Sequence, residues 1–331
     1  MNRISRAAVA VIGLLIIVGA LASGLGYAIY GDRSHPSETT QVIIERGSTL
    51  DAIARRLAGD GVIGNVLTFR LLARLRREDV TVHAGEYRFE PHLTQDAVLR
   101  ALVSGGAQVA TWVTIPEGFT AAQIAERLQA AGVGSSTEFV QDFMHQSIVV
   151  DGTRTKNLEG FLFPSTYLVP LGASPPQVAG ILVAQFFKEL PSDAPARART
   201  LHVSVPSAVT VASLVEREAK DQADRPKIAA VIYNRLRLRM PLQVDAAIEY
   251  ALPAHKSALS FGDLKVNSPY NSYTHAGLPP TPIANPGRPS IEAALHPWKS
   301  DDLYYVYCGN GRHVFAKTLA EHQANIARCL Q

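Results

Sequence analysis

The sequence predicts an α+β protein that carries an apolar helix at its N-terminus. Three observations support this prediction: a long uncharged segment at residues 7–29, a strand–turn–helix pattern that occurs twice, and helices separated by Pro/Gly-rich loops after residue 136. With 331 residues the chain is long enough for two domains and a terminal segment. Its 47% hydrophobic and 18% charged residues are typical of a folded protein.

The N-terminal segment predicts a membrane anchor. Residues 7–29 carry no charge, and as a helix they would span about 35 Å, enough to cross a bilayer core. Arg3 and Arg6 precede this segment, and positive charge favours the cytoplasmic side, so the rest of the chain should lie outside the cytoplasm. The alternative is a cleaved signal peptide, because residues 20–22 form an A-x-A pattern. The apolar run continues beyond them, which favours retention.

A polar linker is predicted at residues 31–40, and a strand–turn–helix unit follows it at residues 42–62. The turn is placed at Gly47, and Ser48 or Thr49 is expected to cap the helix. Residues 113–133 repeat the pattern without a gap and are identical at ten of 21 positions. We infer a repeated unit; the alternative is two unrelated amphipathic helices with similar caps.

The remaining pattern predicts short strands and helices. Residues 80–91 resemble an edge strand, residues 93–106 a helix ended by glycines, and residues 302–316 two strands around a Gly-Asn-Gly turn. Residues 267–287 form a loop with five prolines, and ordered loops of this length usually carry function. Helices are predicted at 178–190, 207–220, 225–237, 290–296 and 316–329.

Charge, cysteine content and motifs exclude several functions. The net charge is +3 without a long basic run, so no nucleic-acid partner is expected. Cys308 and Cys329 are the only cysteines and form no C-x-x-C pair, so a thiolate zinc site is not expected. The sequence leaves open whether they form a disulfide. No nucleotide-binding, metalloprotease or serine-hydrolase motif occurs, so we expect neither a metal nor a cofactor.

Two glutamates in the helix predicted at 207–220 are the leading candidates for acid chemistry. On a helical wheel Glu218 shares the apolar face, whereas Glu216 points away from it. Burial favours the protonated form of a carboxyl and raises its pKa, as a general acid requires. We therefore predict that Glu218 is the acid. The alternatives are a buried ion pair of Glu218 with Arg235 and, for Glu216, a surface ion pair with Lys220.

A second candidate site lies at residues 157–170, where Glu159 precedes Gly160 and a run that includes Phe161, Phe163 and Tyr167. Aromatic rings stack on sugar faces and carboxylates hold hydroxyl groups, so this composition suits saccharide binding. The alternative is a loop acid above an aromatic core. Further polar or aromatic candidates near turns are Asn234, Gln243, Asp245, Asn271 and Tyr273.

Several long motifs resemble, in order, the MltG (YceG-like) family of endolytic murein transglycosylases. They are LEGFLFPSTY (158–167), ASLVEREA (212–219), VIYNRLRLRMPLQVDAAIEYAL (231–252), SPYNSYTHAGLPPTPIANPG (268–287), AALHP (293–297) and YYVYCGNGRHVFAKTLAEH (304–322). The resemblance implies a LysM-like domain at 41–112 and a catalytic domain at 113–331. Two positions depart from the family pattern: Ser165 replaces a usual Asp, and residues 246–252 lack a usual Pro-Thr pair.

The resemblance also implies site residues. Glu218 matches the family's catalytic glutamate, and Glu159 matches a glutamate of the same cleft. Substrate-binding or supporting roles are expected for Glu159, Tyr167, Gln243, Asp245, Asn271 and Tyr273.

The implied reaction cleaves the β-1,4 bond between N-acetylmuramic acid and N-acetylglucosamine and leaves a 1,6-anhydro end. The expected partners are nascent peptidoglycan strands and the peptidoglycan synthases (penicillin-binding proteins), with the enzyme terminating glycan polymerisation. The expected location is the bacterial inner membrane, crossed once, with the N-terminus in the cytoplasm and the domains in the periplasm. The alternatives are a glycan-binding protein without catalysis and a muramidase that hydrolyses with Glu159 and Glu218 as a carboxylate pair.

Overall fold

The computed structural model describes residues 3–30, 38–45, 47–77, 82, 84–105, 109–252, 256, 259–309 and 311–329. Thirteen α-helices and eight short strands lie in this part of the chain, which confirms the predicted α+β class. The chain divides into two compact units. One comprises Met1–Thr111 and Leu168–Ser174, and the other Trp112–Tyr167 and Pro175–Gln331. The predicted domain boundaries and the LysM-like assignment stay predictions.

The N-terminal residues form helix α1, Arg3–Tyr30. Its aliphatic side chains are exposed, among them Leu14, Leu15 and Ile16. Within the described ranges, no helix combines the length and hydropathy that a bilayer crossing needs. The membrane anchor at residues 7–29 is therefore not confirmed and stays a prediction. Residues 31–37 of the predicted linker lie outside the described part of the chain.

The first unit packs two strands against three helices. Strand β1 pairs antiparallel with β2, with Val42 opposite Tyr87, and both side chains are fully buried. Strand β2 and helix α4 fall within the segments predicted at 80–91 and 93–106. The elements are β1 (Thr40–Ile44), α2 (Leu50–Gly59), α3 (Val66–Arg76), β2 (Gly85–Phe89) and α4 (Gln95–Ser104).

Both copies of the predicted repeat form a strand, a turn and a helix. The second copy consists of β3 (Ala110–Thr114) and α5 (Ala121–Ala130). Thr49 caps α2 and Thr120 caps α5, each through a 3.2 Å hydrogen bond from a backbone N–H three residues later. Gly47 and Gly118 both adopt positive φ, which glycine tolerates best. The identical positions of the two copies therefore include the glycine of the turn and the threonine that caps the helix.

The second unit is mostly helical and contains all of the helices predicted after residue 136. Helices α6, α8 and α11 were not predicted; they are short and lie between loops. The elements are α5, α6 (Ser136–His145), β4 (Val149–Val150), β5 (Thr153–Arg154), α7 (Pro175–Glu189), α8 (Ala194–Thr200), α9 (Val205–Glu218), α10 (Arg225–Arg237), α11 (Asp245–Ala251), α12 (Arg288–Leu295), β7 (Tyr304–Tyr307), β8 (His313–Ala316) and α13 (Leu319–Cys329). Strand β6 (Thr166–Pro170) begins in this unit and ends in the first one. Strands β7 and β8 form the predicted antiparallel hairpin.

Helix α9 is the centre of the second unit. It begins after Ser204, whose hydroxyl accepts a hydrogen bond from the Ser207 N–H, and Pro206 occupies its first turn. Nine of its 14 residues are buried, and α8, α10, α11 and α12 all pack against it. Small and β-branched side chains let these neighbours approach closely. The helix ends at Glu218, which places this carboxyl where several elements meet.

A disulfide joins Cys308, directly after β7, to Cys329, the last residue of α13. Helix α13 packs on the β7–β8 hairpin, and the His322 ring stacks on Tyr304 with centroids 5.1 Å apart. The disulfide therefore joins the last helix to the hairpin at a second point. This settles the pairing that the sequence left open.

Gly160 occupies a position that accepts no side chain. Its φ is 90°, and a Cβ built there would overlap the Pro282 ring. Gly160→Ala should lower the free energy of unfolding by about 2–4 kcal/mol, measured by urea denaturation, because both the backbone and the packing would be strained. Gly180, inside α7, has nothing within 4 Å of the corresponding Cβ. Gly180→Ala is the control and should leave stability unchanged or raise it by up to about 1 kcal/mol; equal losses in both variants would contradict this account.

Candidate active site

Glu218 lies at the C-terminal end of α9 and remains partly exposed to solvent. The Tyr305 hydroxyl on β7 donates a 3.0 Å hydrogen bond to Glu218 Oε2. No ion pair of the described residues includes Glu218. The carboxyl therefore has a neutral hydrogen-bond donor beside it and can still be reached from solvent.

The surroundings of Glu218 favour its protonated form. Burial of the carboxyl is the main cause that raises the pKa of Glu218 to about 7, and the negative charges of Asp245 and Glu249 add to it. The Tyr305 hydrogen bond and the Lys220 charge act in the opposite direction. The carbonyl ends of α9 also disfavour a negative charge at this position. Near neutral pH the group can both give and take a proton, as acid–base catalysis requires.

Arg235 does not pair with Glu218, so that alternative is wrong. Its guanidinium donates instead to the carbonyl oxygens of Leu303 (2.6 Å), Pro241 (3.1 Å) and Leu242 (2.9 Å). It also donates to Gln243 Oε1 at 3.1 Å. These hydrogen bonds connect α10 with two loops. Because the guanidinium is engaged in this way, Arg235 forms no ion pair with Glu218.

Two of the predicted site residues, Asp245 and Tyr273, lie near Glu218, and Gln243 precedes Asp245 by two residues. The Tyr273 hydroxyl donates a 2.5 Å hydrogen bond to Asp245 Oδ1 on α11, and the charge of Glu218 contributes to raising the pKa of Tyr273, after burial and Asp245. Gln243 adopts a φ of 54°, and its N–H donates to Ser272 O at 3.0 Å. Asp245 and Gln243 are exposed and Tyr273 is partly exposed. Asp245 and Tyr273 form a polar surface beside the acid.

Glu216 is not in a surface ion pair with Lys220, so this prediction is wrong. Its side chain is 6% exposed and pairs with Arg225 at 3.1 Å. The Gly287 N–H at the start of α12 donates to its other oxygen at 2.9 Å. The helical wheel assumed one buried face, whereas α9 is covered on several sides, so an acid off the apolar stripe is also buried. Glu216 connects α9 with α12 and the start of α10.

Glu159 is buried rather than lining an open groove. It is 1% exposed, and its two oxygens accept hydrogen bonds from the Ala121 N–H at 3.0 and 3.1 Å. Asn285 Nδ2 at 2.9 Å and the Tyr250 hydroxyl at 3.1 Å complete the set. Burial raises the pKa of Glu159 to about 7 despite these donors. The carboxyl joins the N-terminus of α5 to α11 and to the Asn285 loop.

Three more candidates brace loops through internal hydrogen bonds. The Tyr167 hydroxyl donates to Phe163 O at 2.5 Å, and Tyr167 is 7% exposed. Asn271 is fully buried and donates to Leu264 O and Val266 O. The Asn234 amide donates to the carbonyl oxygens of residues 300 and 302 at 2.9 and 3.0 Å. Asn271 orders the loop that carries Tyr273. It therefore contributes to the site by positioning Tyr273.

Tyr305 is the site residue that the sequence did not single out. Its ring packs edge-on against His313 on β8, with centroids 5.7 Å apart. His313 is fixed in turn by Asp224 Oδ2, which contacts its backbone N–H at 2.8 Å and its Nδ1 at 3.2 Å. The sequence signal that could have pointed to Tyr305 is the hairpin predicted at residues 302–316. Which strand position faces Glu218, however, depends on how the hairpin docks on α9.

Among the residues that the structure describes, no three acidic, histidine or cysteine side chains converge as a metal ion would require. At Glu218 a desolvated carboxyl has a neutral donor beside it and exposed polar groups next to it. These are properties that suit general acid–base chemistry.

Comparison with known proteins places the chain in a family. Residues 42–328 match the YceG-like family, and the chain belongs to it. The crystal structure of a yceG-like protein from Listeria monocytogenes superposes with a TM-score of 0.58 at 32% identity, covering 87% of this chain and 99% of that one.

Two relatives are named endolytic murein transglycosylase. The protein from Bacillus subtilis is 36% identical over 327 residues, covering 93% of this chain and 89% of the relative. The protein from Streptococcus pneumoniae (serotype 2, strain D39) is 31% identical over 356 residues, covering 96% of this chain and 64% of the relative. The chain therefore spans less than two thirds of the pneumococcal protein.

The contacts of Glu159 predict that a neutral amide cannot replace it. In all four hydrogen bonds the Glu159 oxygens are the acceptors and the neighbouring groups are the donors. Among these neighbours, only the Tyr250 hydroxyl can also accept a hydrogen bond from the N–H of an amide side chain. Glu159→Gln should lower the free energy of unfolding by about 1–3 kcal/mol, measured by chemical denaturation at pH 8. Glu126 lies exposed on α5, and Glu126→Gln, the control, should change stability by less than about 0.5 kcal/mol. A tolerated Glu159→Gln would show that these contacts do not stabilise the fold.

Proposed function

We propose that the protein is a lytic murein transglycosylase in which Glu218 is the catalytic acid and base. The observation that carries the proposal is the partly exposed Glu218 carboxyl, whose pKa burial raises to about 7 and which is in no ion pair of the described residues. The names of the Bacillus and Streptococcus relatives support the substrate class.

The proposed reaction needs one enzymic carboxyl because the substrate supplies the nucleophile. Protonated Glu218 gives its proton to the glycosidic oxygen as the bond from C1 of N-acetylmuramic acid to that oxygen breaks. The resulting carboxylate takes the proton from the C6 hydroxyl of the same sugar while O6 bonds to C1. The products are a 1,6-anhydro end and a free 4-hydroxyl on N-acetylglucosamine. No water is consumed, and Glu218 regains its proton.

The neighbours of Glu218 suit both halves of this cycle. Tyr305 donates to the carboxyl and so stabilises the charged form that exists after the first proton transfer. Asp245 acts oppositely, because its negative charge favours the protonated form that starts the cycle. Gln243, Asp245 and Tyr273 offer exposed amide, carboxylate and hydroxyl groups for the sugar hydroxyls and acetamido groups. In this proposal they orient the glycan strand.

The rival muramidase mechanism would need a second carboxylate that activates water. Glu159 does not suit this role, because it is 1% exposed and all its oxygens are engaged by protein donors. The chemistry of the new end separates the two reactions. A reducing sugar indicates hydrolysis, whereas an anhydro end indicates transglycosylation. Mass spectrometry of fragments released from purified sacculi makes this distinction.

The setting of the reaction is proposed on sequence grounds. Residues 7–29 would anchor the enzyme once in the bacterial inner membrane, with the catalytic unit in the periplasm. The Cys308–Cys329 disulfide suits an oxidising compartment. An anchored endolytic enzyme would meet nascent strands beside the peptidoglycan synthases and terminate their growth. The strand–turn–helix unit at 42–62, assigned as LysM-like, would add a second contact with glycan.

Glu218→Gln should reduce the release of anhydro-ended fragments by about 10²–10⁴-fold, the usual contribution of a general acid. The fold should persist, because an amide oxygen still accepts from Tyr305 and a neutral group suits the buried position. Fragment release is measured by mass spectrometry, and folding by circular dichroism. Glu126→Gln, which removes an exposed carboxyl, is the control. Wild-type release from folded Glu218→Gln protein would reject the proposed mechanism.

The pH dependence of cleavage should move in opposite directions in two variants. The wild-type rate should fall as pH rises through about 7, because Glu218 loses the proton that it must donate. Tyr305→Phe removes a hydrogen bond that favours the carboxylate, so the Glu218 pKa and the descending limb should shift to higher pH. Asp245→Asn removes a negative charge, so both should shift to lower pH. Shifts in the same direction, measured from kcat/KM against pH, would contradict this assignment.

A further inference from the structure

A cavity of about 680 Å³ lies in the second unit, and its lining residues differ from those that surround Glu218. Helices α8 and α10 and the segment 295–301 line it, and none of its lining residues is Glu218, Tyr305, Asp245 or Tyr273. Its volume lies within the range of about 300–1,000 Å³ that is usual for small-ligand sites. The mechanism proposed above does not use this cavity.

Trp298 gives the cavity an exposed aromatic surface. Its side chain lines the cavity and the residue is 61% exposed, although a large aromatic is ordinarily mostly buried. Its backbone is fixed by a hydrogen bond from the Trp298 N–H to Pro226 O at 2.9 Å. The residue before it is Pro297, whose ring restricts its own φ angle. An exposed indole ring offers a flat apolar face on which another apolar face can stack.

Several polar side chains also line the cavity, beside apolar ones such as Leu201 and Leu295. The Tyr233 hydroxyl donates to Ala294 O at 3.0 Å, and the Asn234 amide holds the carbonyl oxygens of residues 300 and 302. Arg197 forms an ion pair with Asp193, with 3.1 Å between Nε and Oδ2. Lys299 also lines the cavity, and it is in no ion pair of the described residues. Asp301 lines the cavity as well, and its carboxylate pairs with Lys317 at 3.5 Å. The cavity thus combines an exposed indole ring with the Lys299 ammonium group, which is in no ion pair of the described residues.

We infer that this cavity is a second saccharide-binding site, which takes an N-acetylated glycan bearing an acidic peptide stem. The C–H face of a pyranose would stack on Trp298, and a stem carboxylate would pair with Lys299. The identity of the glycan rests on the proposed function; the saccharide class rests on the cavity. A strand held here and at Glu218 together would be retained by its raised effective concentration.

The two tryptophans of the chain make the site directly measurable. Trp112 and Trp298 are the only ones in the sequence, so Trp112→Phe leaves Trp298 as the single emitter. Glu218→Gln is added so that the probe is not cleaved during the titration. The full chain with both substitutions is titrated with an N-acetylglucosamine tetramer, which has no stem, and with a disaccharide tetrapeptide. Saturable change in Trp298 emission is expected with both probes.

Substitution of the aromatic surface provides the second measurement. In the Glu218→Gln chain, Trp298→Ala should raise the Kd of both probes, measured by calorimetry, by about fivefold or more. Phe261→Ala is the matched control, because Phe261 is an aromatic with 89% exposure that does not line the cavity. It should leave both Kd values unchanged. Unchanged Trp298 emission at saturating probe, or equal Kd values in the Trp298→Ala and control chains, would overturn the site.

Lys299→Gln tests the acidic stem separately. It should weaken binding of the disaccharide tetrapeptide and leave the tetramer unaffected, whereas an equal effect on both probes would overturn the assigned carboxylate contact. These outcomes are independent of the proposed reaction. If Glu218→Gln still released anhydro fragments, the catalytic proposal would fail, but saccharide binding at Trp298 would remain measurable with the stem-free tetramer.

Discussion

The site depends on one constraint: the Glu218 carboxyl is desolvated, and its hydrogen-bond donor among the described residues is the neutral Tyr305 hydroxyl. An arginine at this distance would stabilise the carboxylate and keep the pKa low, and a fully open position would do the same through water. Arg235 is adjacent in the fold, yet its donors are used by four oxygen acceptors in two loops. Arg235 therefore forms no ion pair with Glu218 because its donors bind oxygen atoms of two loops. The charge environment of Glu218 depends in this way on the conformation of both loops.

Helix α9 makes this arrangement possible. Because it is covered on several sides, its C-terminal end lies among α11, the Tyr273 loop and the β7–β8 hairpin rather than in bulk solvent. The two glutamates on its last turn then receive opposite environments. Glu216 is buried against Arg225 and the start of α12, where charge is compensated. Glu218, two residues on, is near Asp245 and Glu249, where negative charge is disfavoured. One acid fixes the helix, and the other is left for chemistry.

The local rules of sequence reading explain what could be predicted. Caps at Thr49 and Thr120, glycine turns and apolar periodicity are short-range signals, so the repeat, the hairpin and the later helices were predictable. The helical wheel separated Glu218 from Glu216 but misplaced the latter, because a wheel assumes that one face contacts solvent. The alignment of Tyr305 with Glu218 spans 87 residues of sequence and depends on docking. No local pattern contains that information, nor the burial of Glu159 beneath Asn285 and Tyr250.

The C-terminal part of the chain is as much a part of the site as α9. Tyr305 reaches Glu218 only if β7 keeps its register, and three separate contacts hold it: pairing with β8, the Arg235 bond to Leu303 O, and the disulfide that joins Cys308 to α13. His313 adds a packing contact that Asp224 orients. Because β7 is held at these points, the Tyr305 hydroxyl keeps its distance from the Glu218 carboxyl when that group gains or loses its proton. A hydroxyl dipole in a fixed position stabilises the carboxylate without a rearrangement of the protein. The hairpin therefore helps to set the acidity of a group that lies on a different element.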